Sequence, residues 1–122
     1  MRKEILLKEN KMNIYENIQP VNKNAAEVIF SSGDTNDICH AMVSLAFHEQ
    51  DWKWAQDKFL ILLFNENSDI SGLAAVCLGH LARIHRQLEK DKVVAALNTR
   101  LDDEKIAGQI RDALDDINIF LT

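Results

Sequence analysis

Proline and glycine are scarce in this 122-residue chain: one Pro (Pro20) and four Gly. With 47% apolar and 27% charged residues, the composition excludes a disordered or fibrous protein. Cysteine is also sparse. Cys39 and Cys77 form no CxxC pair and no disulfide framework. Both have apolar neighbours, which predicts buried, inert thiols in a reducing compartment. No long apolar run exists. Phe59–Phe64 falls far short of the roughly 20 residues of a membrane span. Met1–Lys8 lacks the about 7–15 apolar residues of a secretory signal. The expectation is a cytoplasmic protein with no membrane role. An excess of basic residues is missing too. Fourteen Lys and Arg against nineteen Asp and Glu leave a net charge of −5 and a pI near 5.3. That balance speaks against direct nucleic-acid binding and suits a basic partner.

The length suits one domain over residues 1–122. Residues 1–23 read as an N-terminal arm or cap, rich in Lys, Asn and Glu and ending at Gln19-Pro20-Val21-Asn22. Ile5, Leu6, Met12, Ile14, Tyr15 and Ile18 are its apolar positions. Asn24 is placed to cap a helix over Ala25–Ser31, and Ser31-Ser32-Gly33-Asp34 reads as a turn.

From Asp34 onward the apolar spacing is helical. The stripes are Ile38, Ala41, Met42 and Leu45, then Trp54, Ile61 and Leu62 with Lys58. A long one follows through Ile70, Leu73, Ala74, Cys77, Leu78, Leu81 and Ile84. Val93, Val94, Leu97 and Leu101 make the next, and Ile106, Ile110, Ala113, Leu114, Ile117 and Leu121 the last. No segment alternates as a strand. Short polar breaks predict antiparallel neighbours. Asp34, Ser68 or Asp69, and Asp103 stand where helix-capping acids and hydroxyls belong.

The stripes repeat. Ile70, Gly72, Cys77, Leu78 and Leu81 stand thirty-six residues before Ile106, Gly108, Ala113, Leu114 and Ile117. Leu60 and Phe64 stand thirty-seven before Leu97 and Leu101. A weaker copy at Ala41, Val43, Ser44 and Leu45 precedes Ala74, Val76, Cys77 and Leu78 by thirty-three. Two helices per period of this length mark an α-solenoid, with a plain helical bundle as the alternative. Ser44, Cys77 and Ala113 are small enough to let helices approach closely.

Ser68–Ala82 resembles the second helix of a HEAT repeat: an acidic loop, an aliphatic residue, and an Ala-rich run ending in Leu78-Gly79. Together with Arg83-Ile84-His85 and Asp112–Ile117, it is similar to small bacterial HEAT-like proteins over about residues 50–121. Gly72 and Gly108 replace the usual basic residue, and no Pro opens the repeats. The resemblance implies an all-α fold, a short α-solenoid of about three antiparallel HEAT-like hairpins over 24–122. Such repeats are mostly binding scaffolds.

No catalytic constellation is legible. His48-Glu49-Gln50-Asp51-Trp52 lacks the second His of a zinc-protease helix. His80 and His85 are five apart and fall on different helix faces, so no shared metal is expected, with His80 facing outward and His85 in the core or at its rim. Gly72 and Gly79 form no phosphate-binding loop, so no cofactor is expected. Asp102-Asp103 and Asp115-Asp116 are adjacent acids pointing about 100° apart, which suits a solvated face rather than an acid/base pair.

A binding face is legible. With the apolar stripe inward, His40, Phe47, His48, His80, Arg83, Gln109, Asp112 and Asp116 point out. Glu66, Asp69, Asp102, Asp103 and Glu104 add acids on the loops. Trp52 and Trp54 diverge around one helix, so either one anchors the core and the other lies at the rim, or both pack between repeats. The candidate partner-binding residues are Trp52, Glu66, Asp69, His80, Arg83, Asp102, Asp103, Asp112, Asp115 and Asp116. In size, charge and repeats the chain resembles immunity proteins of contact-dependent inhibition and related polymorphic toxin systems. The resemblance implies a partner: a cognate, basic nuclease toxin. The alternatives are a general HEAT-like adaptor or regulator, and an enzyme such as a bilin lyase or a hydrolase.

Overall fold

The computed structural model describes residues 19–32 and 34–121. Their architecture is all-helical, with no strand among the described residues. Six helices follow one another: α1 Lys23–Ser32, α2 Thr35–His48, α3 Trp52–Leu62, α4 Ser68–His85, α5 Lys90–Thr99 and α6 Ala107–Phe120. Most of the N-terminal arm, with its apolar positions up to Ile18, lies outside the described residues.

Short polar side chains start the first four helices by accepting first-turn N–H groups. Asn22 accepts from Ala25 at 2.7 Å, Asp34 from Asp37 at 3.1 Å, Asp51 from Trp54 at 3.1 Å and Asn67 from Asp69 at 2.9 Å. Two expected caps shift. Asn22 rather than Asn24 begins α1, so Ser31 and Ser32 end that helix instead of opening a turn. Asn67 rather than Ser68 or Asp69 begins α4. Asp103 caps no helix. It pairs with Arg100 at 3.3 Å and accepts the Lys105 N–H at 3.0 Å, while α6 starts without a side-chain cap.

The helices form two layers. In one, α4 lies between α2 and α6, and its seam with α6 is the most extensive contact among the described helices. The register is direct. A Cβ on Gly72 would meet Gln109 and Ile106, and one on Gly79 would lie 2.9 Å from Asp116 Oδ2 and 3.3 Å from Ala113 Cα. At the α2–α4 junction, Asn67 Nδ2 donates to Thr35 Oγ1 at 3.1 Å, and Phe47 stacks near His80. Contacts at both ends of these helices pair start with start and finish with finish, so α2, α4 and α6 run parallel. Gly79 and Ala113 supply the small surfaces that the α4–α6 approach requires. A Cβ on Gly108, in the position matching Gly72, would meet nothing within 4 Å outside its own helix backbone and chain neighbours.

The other layer holds α1, α3 and α5, joined mainly by polar contacts. Glu27 meets Lys58 at 2.8 Å, and Lys53 meets Glu89 at 3.2 Å. Lys23 pairs with Asp51 at 2.7 Å, which raises the ammonium's pKa and lowers the carboxyl's. These exposed pairs each stabilise little. The fully buried Gln56 matters more, because it clamps α3 to α5 in both directions. Its Nε2 donates to Glu89 Oε1 at 2.8 Å and its Oε1 accepts the Glu89 N–H at 2.7 Å. Gln56 first, and Lys53 second, hold the Glu89 carboxyl below its usual range.

Between the layers lies the core, with Met42, Leu45, Phe59, Leu63, Leu78, Leu81, Leu97, Ile106, Ile110 and Ile117 completely buried. The expected stripes supply most of it. Ile61 and Ile84 are the exceptions and stand exposed. Cys77 is buried and its thiol pKa raised by burial, whereas Cys39 is half-buried rather than fully enclosed. Trp54 packs against the core beneath Lys23 and Lys58, whose ammonium groups lie 5.4 and 5.5 Å from the ring.

Candidate functional site

The ten candidate partner-binding residues occupy three places. The first is a ridge across α2, α4 and α6. Phe47 and His80 have ring centroids 5.1 Å apart, Arg83 hydrogen-bonds His80 Nδ1, and Arg83 Nε lies 3.9 Å from Asp116 Oδ2. A guanidinium only donates, so Nδ1 is the lone-pair side of a neutral imidazole. Burial, and secondarily the Arg83 charge, push His80 down to about 4. His80 is therefore a half-buried, uncharged member of the seam, not an outward-facing one. Asp116 is half-buried and paired, while Asp112 and Asp115 on the same helix are exposed.

The second place is the end where α4 and α6 begin. Glu66, Asp69, Asp102 and Glu104 are exposed there. Acids at helix starts complement the positive end of the helix dipole, which gives Asp69 a structural reason to stand there. Asp103 is half-buried and held by Arg100, which also donates to the Leu63 carbonyl at 3.1 Å and lies over Phe64 at 5.8 Å. Arg100 thereby ties the ends of α3 and α5 together.

The third place holds Trp52 alone of the ten. It sits at the opposite end, where α4 and α6 finish. The two ends are separated by the length of α4, eighteen residues or about 27 Å. Trp52 lines an open cleft of about 450 Å³ with Arg86, Gln87, Leu88, Lys90, Phe120 and Leu121.

Sequence reasoning passed over this cleft. Arg86 caps α4 in the left-handed conformation, with φ 54° and ψ 31°. A non-glycine residue there costs roughly 1–2 kcal/mol. Its guanidinium lies 5.3 Å from the Phe120 ring, and Lys90 Nζ donates to the Leu121 carbonyl at 3.2 Å. One signal was available. The run Arg83-Ile84-His85-Arg86-Gln87 ends a long helix with no glycine to take the left-handed cap.

A second cleft, about 570 Å³, opens between α1 and α2, lined by Gln19, Val21, Ile29, Asp37, His40, Ala41 and Ser44. Ser44 Oγ donates to the Gln19 carbonyl at 2.7 Å and so anchors the segment entering α1. His85 is half-buried at the rim of the core. Among the described residues no three His, Cys, Asp or Glu side chains gather to hold a metal ion, and no helix is long and apolar enough to cross a membrane.

No family model matches the chain, and no curated protein does so. Among solved structures, it is similar to a chain of the CDI complex from Cupriavidus taiwanensis. The two are 30% identical, and the match covers 87% of this chain and 96% of that one with a TM-score of 0.80. The chain belongs to the same family as that component of a CDI complex.

Proposed function

We propose that the chain is the immunity component of a contact-dependent inhibition system. In this reading it acts in the cytoplasm as a binding protein rather than an enzyme, and it neutralises a cognate toxin. The observation that carries the reading is the 30% identity and near-complete coverage shared with a chain of a CDI complex. The net charge of −5 supports a basic partner, as a nuclease domain would be. The packing of α2, α4 and α6 in one layer and α1, α3 and α5 in the other supports a one-domain solenoid of three HEAT-like hairpins. Asp112, Asp115 and Asp116, with Glu66, Asp69 and Asp102, form the acidic part of the proposed toxin-facing surface. His80 and Arg83 lie in its ridge, Asp103 is positioned by Arg100, and Trp52 belongs to the far end.

The test is co-expression with the toxin domain encoded in the adjoining reading frame. The expected outcome is a complex that survives size-exclusion chromatography at low salt and restores growth of the toxin-expressing host. Separate elution at low salt together with no protection overturns the reading.

A further inference from the structure

The cleft at the finishing ends of α4 and α6 has chemistry opposite to the rest of this acidic chain. Arg86 and Lys90 line it, and among the described residues neither faces a carboxylate within ion-pair distance. The other lysines of the α1–α3–α5 layer behave differently, since Lys23, Lys53, Lys58 and Lys92 each have an acidic partner. Both cleft cations are already held in place, Arg86 over the Phe120 ring and Lys90 on the Leu121 carbonyl. Holding a flexible cation in advance reduces the ordering that binding must impose. Trp52 and Leu88 add apolar wall beside the charges. Trp and Arg in such a setting are the residue types that dominate protein interfaces. Arg86 also stands in a backbone conformation that glycine would adopt more readily. The helix dipole favours a cation at this terminus, but it does not require the left-handed position, so the arginine is held there at a backbone cost that glycine would avoid.

We propose that this cleft is a second docking subsite, which takes an acidic segment of the protein partner with a carboxylate between Arg86 and Lys90 and an apolar neighbour against Trp52. The inference rests on the toxin reading and deepens it. The partner has to present basic charge to the acids where α4 and α6 begin and acidic charge where these helices finish, and this order fixes how the two proteins align.

The experiment measures binding kinetics of the full chain with the toxin domain encoded beside it, for the unsubstituted protein and for Arg86→Gly and Lys90→Met. Arg86→Gly is expected to dissociate about tenfold faster and Lys90→Met about threefold faster, because each strips a cation from a carboxylate in the interface. Association should hold steady or quicken, since each change makes the chain more acidic and the partner is basic. The melting temperature of Arg86→Gly should stay at or above that of the unsubstituted protein, because glycine relieves the left-handed cap. A lower melting temperature with unchanged dissociation in both variants reduces Arg86 to a structural residue and overturns the subsite. Failure of the unsubstituted chain to bind the toxin domain overturns the toxin reading, and the subsite with it.

Discussion

Where α4 and α6 begin, the molecule gathers Glu66, Asp69, Asp102, Asp103 and Glu104; where they finish, it gathers Trp52, Arg86, Lys90 and Phe120. Several acids at the first end have structural work. Asp69 lies in the first turn of α4, and Asp103 holds Arg100 and the Lys105 N–H. At the second end the helix dipole and the Phe120 ring favour a cation at Arg86, but its backbone conformation is one that glycine would take more readily. Arg86 accepts a left-handed backbone, and neither cation makes an ion pair among the described residues. A dense patch of charge is thus weaker evidence of a partner than a sparse one that local structure does not require.

The largest effect should come from breaking the seam that aligns the two ends. Gly79→Val drives side-chain atoms into the Ala113 backbone and the Asp116 carboxylate, and overpacking of this kind costs about 1–3 kcal/mol, readable by urea denaturation. Gly108→Ala is the control. Its Cβ meets nothing within 4 Å, so helix propensity should raise stability by about 0.5–1 kcal/mol. The next prediction sets one end against the other. Asn67→Ala removes the α4 cap and should cost about 1 kcal/mol, while Arg86→Gly at the other terminus of the same helix costs nothing.

Neutralising Asp112 and Asp115 to Asn should leave the melting temperature nearly unchanged, because both are exposed and make no ion pair among the described residues. Association with a basic toxin should slow about threefold at low salt, and the difference should vanish at high salt as screening grows.

The last effect is absent at neutral pH. An unfolded imidazole titrates near 6.5, whereas His80 in the fold is pushed down to about 4. Between these values the unfolded state binds the extra proton, so stability is fully present above about 6.5 and falls as pH drops toward 4. His80→Gln should flatten the melting-temperature profile across that window. An unchanged profile would show that His80 titrates normally in the fold.

Much of the fold was legible because periodicity records which face is buried. Ile70 and Ile106, Cys77 and Ala113, and Leu81 and Ile117 all occupy the core as matched positions in the two stripes. The same reasoning misplaced Ile61 and Ile84, since helical spacing cannot say where a stripe runs past the edge of its neighbour. Caps shifted to Asn22 and Asn67 because several capping residues stand side by side at each helix start, and only the backbone chooses among them. The candidate site was less legible. Asp116 looked like a free acid until folding brought Arg83 of another helix beside it, and His80 looked exposed until Phe47 covered it. Trp52, the pair Arg86 and Lys90, and Phe120 come from three separate stretches of chain, and nothing local in the sequence joins them.

The most direct test of the central claim takes the proposed partner, a nuclease toxin in the reading above, and titrates its activity with this chain at physiological salt. The account predicts cleavage falling in proportion to added chain and ending near one equivalent. Full cleavage in the presence of excess folded chain would contradict it.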